Sequence, residues 1–196
     1  MIMLASQSAA RASVLRGAGV EFTQVAAAID EDGPKRTLRD QGAEAVALYL
    51  AHAKATVVDP SDETLVIGAD QILVCDGVWF DKPAGLVGAR AHLRALRRRS
   101  HKLVTAIVLH RGGLPIWEHV AIPMLTMRDV SDEAIDALLA LDGAACLHTV
   151  GAYRVEGPGV QLFSAIDGEW SAVLGLPLLP LLGAMRTQGA DGLLPI

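Results

Sequence analysis

The sequence predicts a mixed α/β fold (α/β or α+β), and three observations carry that expectation. Short apolar runs that read as strands alternate along the chain with Ala/Leu-rich stretches at helical spacing. Hydrophobic residues make up 52% of the 196 and charged ones 20%, enough for a normal core, while aromatics are only 4%. A core of Leu, Val, Ile and Ala suits helices and buried strands better than an aromatic sandwich. Neither an internal repeat nor a linker-like change in composition divides the 20.6 kDa chain, so a single domain, able to form two lobes, is expected over residues 1–196.

The first element is an apolar strand, Met1 to Leu4, followed by a helix over Ala9 to Gly17 with Ser8 as its N-cap. A strand–loop–helix junction offers an anion free backbone N–H groups and the positive end of the helix dipole. Arg11, one turn in, adds a fork of donors suited to phosphate oxygens. The simpler alternative is a plain cap with Arg11 in water. Gly17 and Gly19 release the chain into a strand near Phe22 to Ala26, and Asp30-Glu31-Asp32-Gly33-Pro34 reads as surface loop. Gln41 to Thr56 is helical, with Lys54 near its C-terminal end, where a cation relieves the dipole.

Asp59-Pro60-Ser61-Asp62 is a turn by composition. Thr64 to Val74 reads as a buried strand, interrupted by Gly68-Ala69-Asp70-Gln71. An ionised carboxylate there costs several kcal/mol unless it is paired or bound to a cation. A structural ion pair, a turn exposing Asp70 and a functional carboxylate are all open readings. Gly77 turns a hairpin between Val74 and Trp79, Asp81-Lys82-Pro83 ends its second strand, and a helix is expected over Ala84 to Arg99. Its Arg94, Arg97, Arg98 and Arg99 suit a wetted face and dipole neutralisation better than a nucleic-acid patch.

Leu103 to Leu109 and Pro115 to Met127 read as strands joined at Gly112-Gly113. His101 and His119 lack metal-ligand spacing and are expected to be core or surface histidines. Ser131 caps a helix over Ala134 to Leu141 that Gly143 ends. Gly151 to Gly159 reads as a polar loop across a cleft, Leu162 to Ile166 as an apolar segment, and Asp167-Gly168 as a turn. A last helix begins near Pro177, packs through Leu178, Leu181, Leu182 and Met185, and frays at Gly189.

Several function classes are disfavoured. A net charge of −5 argues against sequence-blind binding to nucleic acid, while leaving room for a local basic pocket that takes a small polyanion. Cys75 and Cys146 are far apart without a CxxC partner, which disfavours a metal cluster or disulfide scaffold. No apolar run approaches a membrane span, and a cytoplasmic protein is expected. Neither a Walker A run nor a Rossmann glycine fingerprint is present.

Arg11, Lys54 and Lys82 fall at element ends, Glu31 in a loop and Asp70 in an apolar strand. One arrangement explaining all five is a polyphosphate pocket with a divalent cation: the basic residues offset phosphate charge, and the carboxylates hold the cation or activate water. The alternative is five unrelated surface residues.

At these residues the chain resembles the Maf family. Leu4-Ala5-Ser6-Gln7-Ser8-Ala9-Ala10-Arg11 is similar to the family's LASxSPRR opening, Gly68-Ala69-Asp70-Gln71 to its GADT/GSDQ strand, and Asp81-Lys82-Pro83 to its GKP. His101 with Val104-Thr105 resembles HxVxTG; Gly151-Ala152-Tyr153, Glu156-Gly157 and Gly175-Leu176-Pro177 resemble AGxYxxxG and VGLP. The motifs run in order over essentially the whole chain. The resemblance implies an elongated Maf-like α/β fold, a twisted mixed sheet with flanking helices and a cleft between two lobes. It also implies a nucleoside triphosphate pyrophosphatase that splits the α–β phosphoanhydride and needs a divalent cation, Mg2+ or Mn2+. By the same resemblance Ser6, Ser8 and Arg11 would hold phosphates, and Glu31 and Asp70 would serve the metal and water, with Asp70 as proton acceptor. Lys54 and Lys82 would neutralise the triphosphate. The expected partner is a small nucleoside triphosphate, with neither nucleic acid nor membrane, and a homodimer is the candidate assembly. A non-catalytic nucleotide-binding regulator of division or septum formation is the rival reading.

The resemblance also bears on the base. The branch taking UTP and dTTP typically has Arg at Ala10, Thr at Gln71 and Gln at Glu156; the 7-methyl-GTP branch has Trp, Gln and Glu. Gln71 and Glu156 side with the second branch. An ionised Glu156 can accept from the N1 and N2 donors of guanine and favours the positive charge of a 7-methylated purine. Ala10 is the departure: losing a stacking Trp removes about 1–3 kcal/mol per base, which implies looser specificity. Ala9 for Pro, Asp81 for Gly, and Arg97-Arg98 for Ser-Gly are further departures, and Asp81 beside Lys82 would weaken its hold on phosphate.

Overall fold

The computed structural model describes residues 1–58, 63–190 and 193–194. In chain order the elements are β1 (Ile2–Ala5), α1 (Ala9–Gly17), β2 (Thr23–Val25), α2 (Asp32–Thr37), α3 (Ala43–Thr56), β3 (Leu65–Cys75), β4 (Val78–Phe80) and α4 (Gly85–Leu96). There follow β5 (Ser100–Arg111), β6 (Leu114–Ala121), β7 (Met124–Met127), α5 (Asp132–Asp142), β8 (Phe163–Asp167), α6 (Trp170–Val173) and α7 (Leu178–Thr187). The expected mixed α/β architecture is present: eight strands form one mixed sheet in the order β2-β1-β3-β5-β7-β8, with β4 on β3 and β6 on β5. Close contacts divide the chain into two compact units, Met1–Asp70 with Thr105–Ala121 and Glu169–Ile196, and Gln71–Val104 with Ile122–Gly168.

In the first unit β1 pairs parallel with β2 and β3, Leu4 lying opposite Gln24 and Ile67. Parallel strands buried on both faces need continuous apolar runs, and β3 is buried at ten of its eleven positions. The core gathers Ile2, Leu4, Ala12, Leu15, Ile67, Ile107, Leu109, Leu181 and Met185 from strands and from α1 and α7. Burying a Leu or Ile side chain contributes about 1.5–3 kcal/mol. The side of α3 facing inward carries Val46, Ala47, Leu50 and Ala51, and also Lys54.

In the second unit β7 pairs antiparallel with β5 and β8, and β3 turns into β4 through Asp76 and Gly77, both at positive φ. Helix α4 buries Ala89, Leu93 and Leu96, and α5 buries Ile135, Leu138 and Leu139. Arg90 and Arg94 of α4 bind Asp136 and Asp132 of α5.

Several elements differ from expectation. The stretch read as loop at residues 30–34 runs into α2, since Pro34 falls in the first turn, where its missing N–H is not needed. The strand expected over Pro115 to Met127 breaks into β6 and β7 at Ile122-Pro123. The helix expected to reach Arg99 stops at Leu96, because Arg97 is extended and Arg98 takes φ 62°. Its basic cluster is paired as well as wetted: Arg94 and Arg97 meet Asp132, Arg98 meets Asp129 and Arg99 meets Asp76. The segment after Gly143 forms 3-10 turns, as does Pro158–Leu162, and α6 was not foreseen. The turn expected at residues 59–62 lies outside the described residues. Among the described residues, no helix is long and apolar enough to cross a membrane.

Candidate active site

Six of the residues singled out in the sequence meet in the first unit. Strand β1 delivers the chain to Ser6, which is buried, and Ser8 caps α1 by accepting from the Arg11 N–H at 3.3 Å. The Ser8 N–H donates to Ser6 Oγ at 3.2 Å, so the two hydroxyls shape the loop between strand and helix. Arg11 turns back under this loop. Its Nη1 donates to Ser6 Oγ at 3.2 Å and to the Ala69 carbonyl at 2.9 Å, and its Nε to the Gly175 carbonyl at 2.9 Å. Gly175 stands at φ 89° with its missing Cβ only 3.1 Å from Arg11 Nε, a place fit for glycine alone. Ser8 is thus the cap expected, and Arg11 is fixed to the protein rather than solvated.

Asp70 reaches the same place from β3. At Gly68 the strand presses on α3: a Cβ would lie 2.2 Å from the Ala51 carbonyl oxygen and 3.0 Å from Ala55 Cβ. That approach brings Asp70, two residues on and on the same face of the strand, level with Lys54, one turn along the helix from Ala51. Lys54 Nζ lies 2.6 Å from Asp70 Oδ1 and 2.7 Å from Glu31 Oε1. Glu31 Oε2 also lies 3.8 Å from Lys35 Nζ. The Asp70 side chain is 5% exposed, and its Oδ2 is buried without a hydrogen-bond partner. Burial pushes the Asp70 carboxyl above its ordinary value, against the opposing pull of Lys54 and Arg11. Of the three readings of Asp70, exposure in a turn is excluded; it is buried and paired.

The other singled-out residues lie elsewhere. Ala10 is half-buried in the first turn of α1. Gln71, half-buried, opens the second unit and points to the opposite face of β3 from Asp70. Lys82 and Glu156 are exposed residues of the second unit. Glu156 belongs to a braced turn: Tyr153 is buried with its OH 2.7 Å from His101 Nε2, Ala152 takes φ 59°, and Arg154 Nε donates to the buried Asp142 at 3.0 Å. His101 is the core histidine expected.

Some polar chemistry was not foreseen. His52 of α3 bonds through Nδ1 to His110 Nε2 at 2.8 Å and through Nε2 to Glu118 Oε2 at 3.0 Å, tying that helix to β5 and β6. The Ala69 and Gly175 carbonyls that seat Arg11 were also missed, although both residues lie within the motifs Gly68-Ala69-Asp70-Gln71 and Gly175-Leu176-Pro177. Among the described residues, no cluster of three or more His, Cys, Asp or Glu forms a metal-binding group.

A family model described as Maf-like protein matches residues 1–188. The chain belongs to the Maf family. It is 47% identical over 192 residues to the nucleoside triphosphate pyrophosphatase of Granulibacter bethesdensis, covering 96% of this chain and 98% of that protein. Against the nucleoside triphosphate pyrophosphatase of Gluconobacter oxydans the identity is 48% over 189 residues, 94% of this chain and 93% of the relative. Against the 7-methyl-GTP pyrophosphatase of Mesorhizobium japonicum it is 47% over 195 residues, 97% of this chain and 98% of the relative.

Proposed function

We propose that the protein is a nucleoside triphosphate pyrophosphatase, which hydrolyses the α–β phosphoanhydride of modified or non-preferred nucleotides to monophosphate and pyrophosphate. The observation that carries this reading is the convergence of Arg11, Lys54, Glu31 and Asp70 around the anion-ready start of α1. Water attacks the α-phosphorus in line with the departing oxygen, loses its proton to Asp70, and the P–O bond to pyrophosphate breaks. A carboxyl raised by burial is a better proton acceptor near neutrality than an ordinary aspartate. Arg11 and Lys54, with Lys82 assigned to the same task, offset charge on the phosphoryl oxygens.

A divalent cation, Mg2+ or Mn2+, fits the residues present. Asp70 keeps a buried oxygen without a partner, and Glu31 adds a second carboxylate. Two protein carboxylates with phosphate and water oxygens completing the shell are the usual arrangement for Mg2+. Three cations (Arg11, Lys35, Lys54) against two anions (Glu31, Asp70) leave a single positive charge for a triphosphate, and a bound cation would add to it while polarising the phosphoryl oxygens.

Separating the products of a nucleotide panel tests the reading: monophosphate plus pyrophosphate is expected, and diphosphate plus phosphate overturns it. Binding without turnover in Mg2+ or Mn2+ would instead favour the regulator. A narrower reading, preference for 7-methyl-GTP, is favoured by Gln71, by Glu156 and by the Mesorhizobium relative. Higher kcat/KM on UTP or dTTP than on 7-methyl-GTP rejects it. The same reading assigns a cytoplasmic location, where such nucleotides arise, and a homodimer, which light scattering checks.

A further inference from the structure

We propose that the Lys54 ammonium is an internal stand-in for the divalent cation: it is held between Glu31 and Asp70 in the free protein and leaves them when the cation binds. The inference rests on the proposed function for the cation itself, but it assigns to Lys54 a task beyond neutralising phosphate.

Three observations carry it. Nζ lies 2.7 Å from Glu31 Oε1 and 2.6 Å from Asp70 Oδ1, so one positive centre bridges the two carboxylates that would ligate the cation. Nζ takes only one oxygen of Asp70. The other, Oδ2, is buried and unpartnered on a side chain 5% exposed, so the pocket contains an acceptor that Lys54 does not use and a hard cation can. The two basic residues are also anchored differently. Arg11 is locked by the Gly175 and Ala69 carbonyls and Ser6 Oγ, at 2.9, 2.9 and 3.2 Å. Among the described residues the polar partners of Lys54 are the carboxylates themselves, and its charge rides on a flexible four-carbon stem.

Exchange follows from charge. An ammonium on Oδ1 and a divalent cation on Oδ2 of the same buried carboxylate would stand a few ångströms apart and repel, so the ammonium gives way. Arrival of the cation together with a polyphosphate frees Lys54 to turn onto a phosphate oxygen, so its charge stays in the pocket. Nucleotide-free protein therefore binds the cation weakly, and nucleotide and cation bind cooperatively.

Mn2+ affinity of the nucleotide-free protein, measured by the electron paramagnetic resonance of free Mn2+, provides the test. Lys54→Met is expected to bind Mn2+ at least about tenfold tighter than the wild type, because the competing charge is gone. Equal or weaker binding overturns the proposal. Should Lys54→Met fail to fold, the wild type alone decides: the Lys54 ammonium resonance, followed by NMR during Mg2+ titration with a non-hydrolysable nucleotide present, is expected to move. An unmoved resonance at saturation overturns the proposal and leaves Lys54 as a fixed structural pair. Neither measurement depends on turnover, so a protein that releases no pyrophosphate would refute the proposed reaction without touching this result.

Discussion

Gly68 stands so close to Ala51 that a methyl group on it would reach within 2.2 Å of the Ala51 carbonyl oxygen. The neighbour is helix backbone, which cannot swing aside as a side chain can. Gly68→Ala is therefore expected to lower stability by at least about 3 kcal/mol, the upper end of overpacking penalties. It also moves α3 away from β3 and lengthens the Lys54–Asp70 contact. Urea denaturation and kcat measured together check this: both fall.

Asp70→Asn separates chemistry from stability. The raised carboxyl means that the folded chain binds more protons than the unfolded one from the ordinary value of 3.8 up to the folded value, so stability falls as pH rises through that window. The amide removes this penalty while Glu31 still holds Lys54. The expected outcome is a Tm at neutral pH no lower than wild type, with pyrophosphate release reduced at least about 100-fold. Near wild-type turnover would remove the role assigned to Asp70.

His101 gives the protein an acid limit. Burial lowers it from 6.5 to about 4, so the unfolded chain binds the extra proton first, and stability drops as pH falls from 6.5 towards 4. The full drop from this group is about 3 kcal/mol. His101→Gln, which retains a polar group for Tyr153, is expected to flatten that part of the curve of urea midpoint against pH.

Arg154→Met leaves Asp142 buried without its ion pair, and a loss of about 3 kcal/mol is expected. Because the same pair braces the turn carrying Glu156, discrimination between 7-methyl-GTP and UTP should narrow in the variant, measured as the ratio of their kcat/KM values.

Ala10→Trp tests the base-stacking reading. A stacked indole is expected to strengthen purine nucleotide binding by about 1–3 kcal/mol, seen as a fall in KM with kcat little changed.

The first helix and its cap were legible because Ser8 and the Ala-rich run are local signals. The apolar runs on either side of Asp70, Leu65-Val66-Ile67 and Ile72-Leu73-Val74, likewise announced a buried strand with one misplaced charge. What could not be read was distance. Lys54 and Asp70 are sixteen residues apart, and only the close packing at Gly68 makes them partners. The His110–His52–Glu118 chain depends on how α3 lies over β5 and β6, which no spacing encodes. Arg97 and Arg98 read as more helix because arginine is a good helix former; partners at Asp129 and Asp132 and a left-handed Arg98 ended it instead.

Arg11 finds one of its acceptors at Gly175, 164 residues further along the chain. On the ribosome, then, the loop ahead of α1 gains this contact only after the chain has grown past Gly175. A nascent chain stalled or cut before Gly175 carries Ser6, Ser8, Lys54 and Asp70, and two of the three acceptors of Arg11, yet lacks the carbonyl that takes its Nε–H.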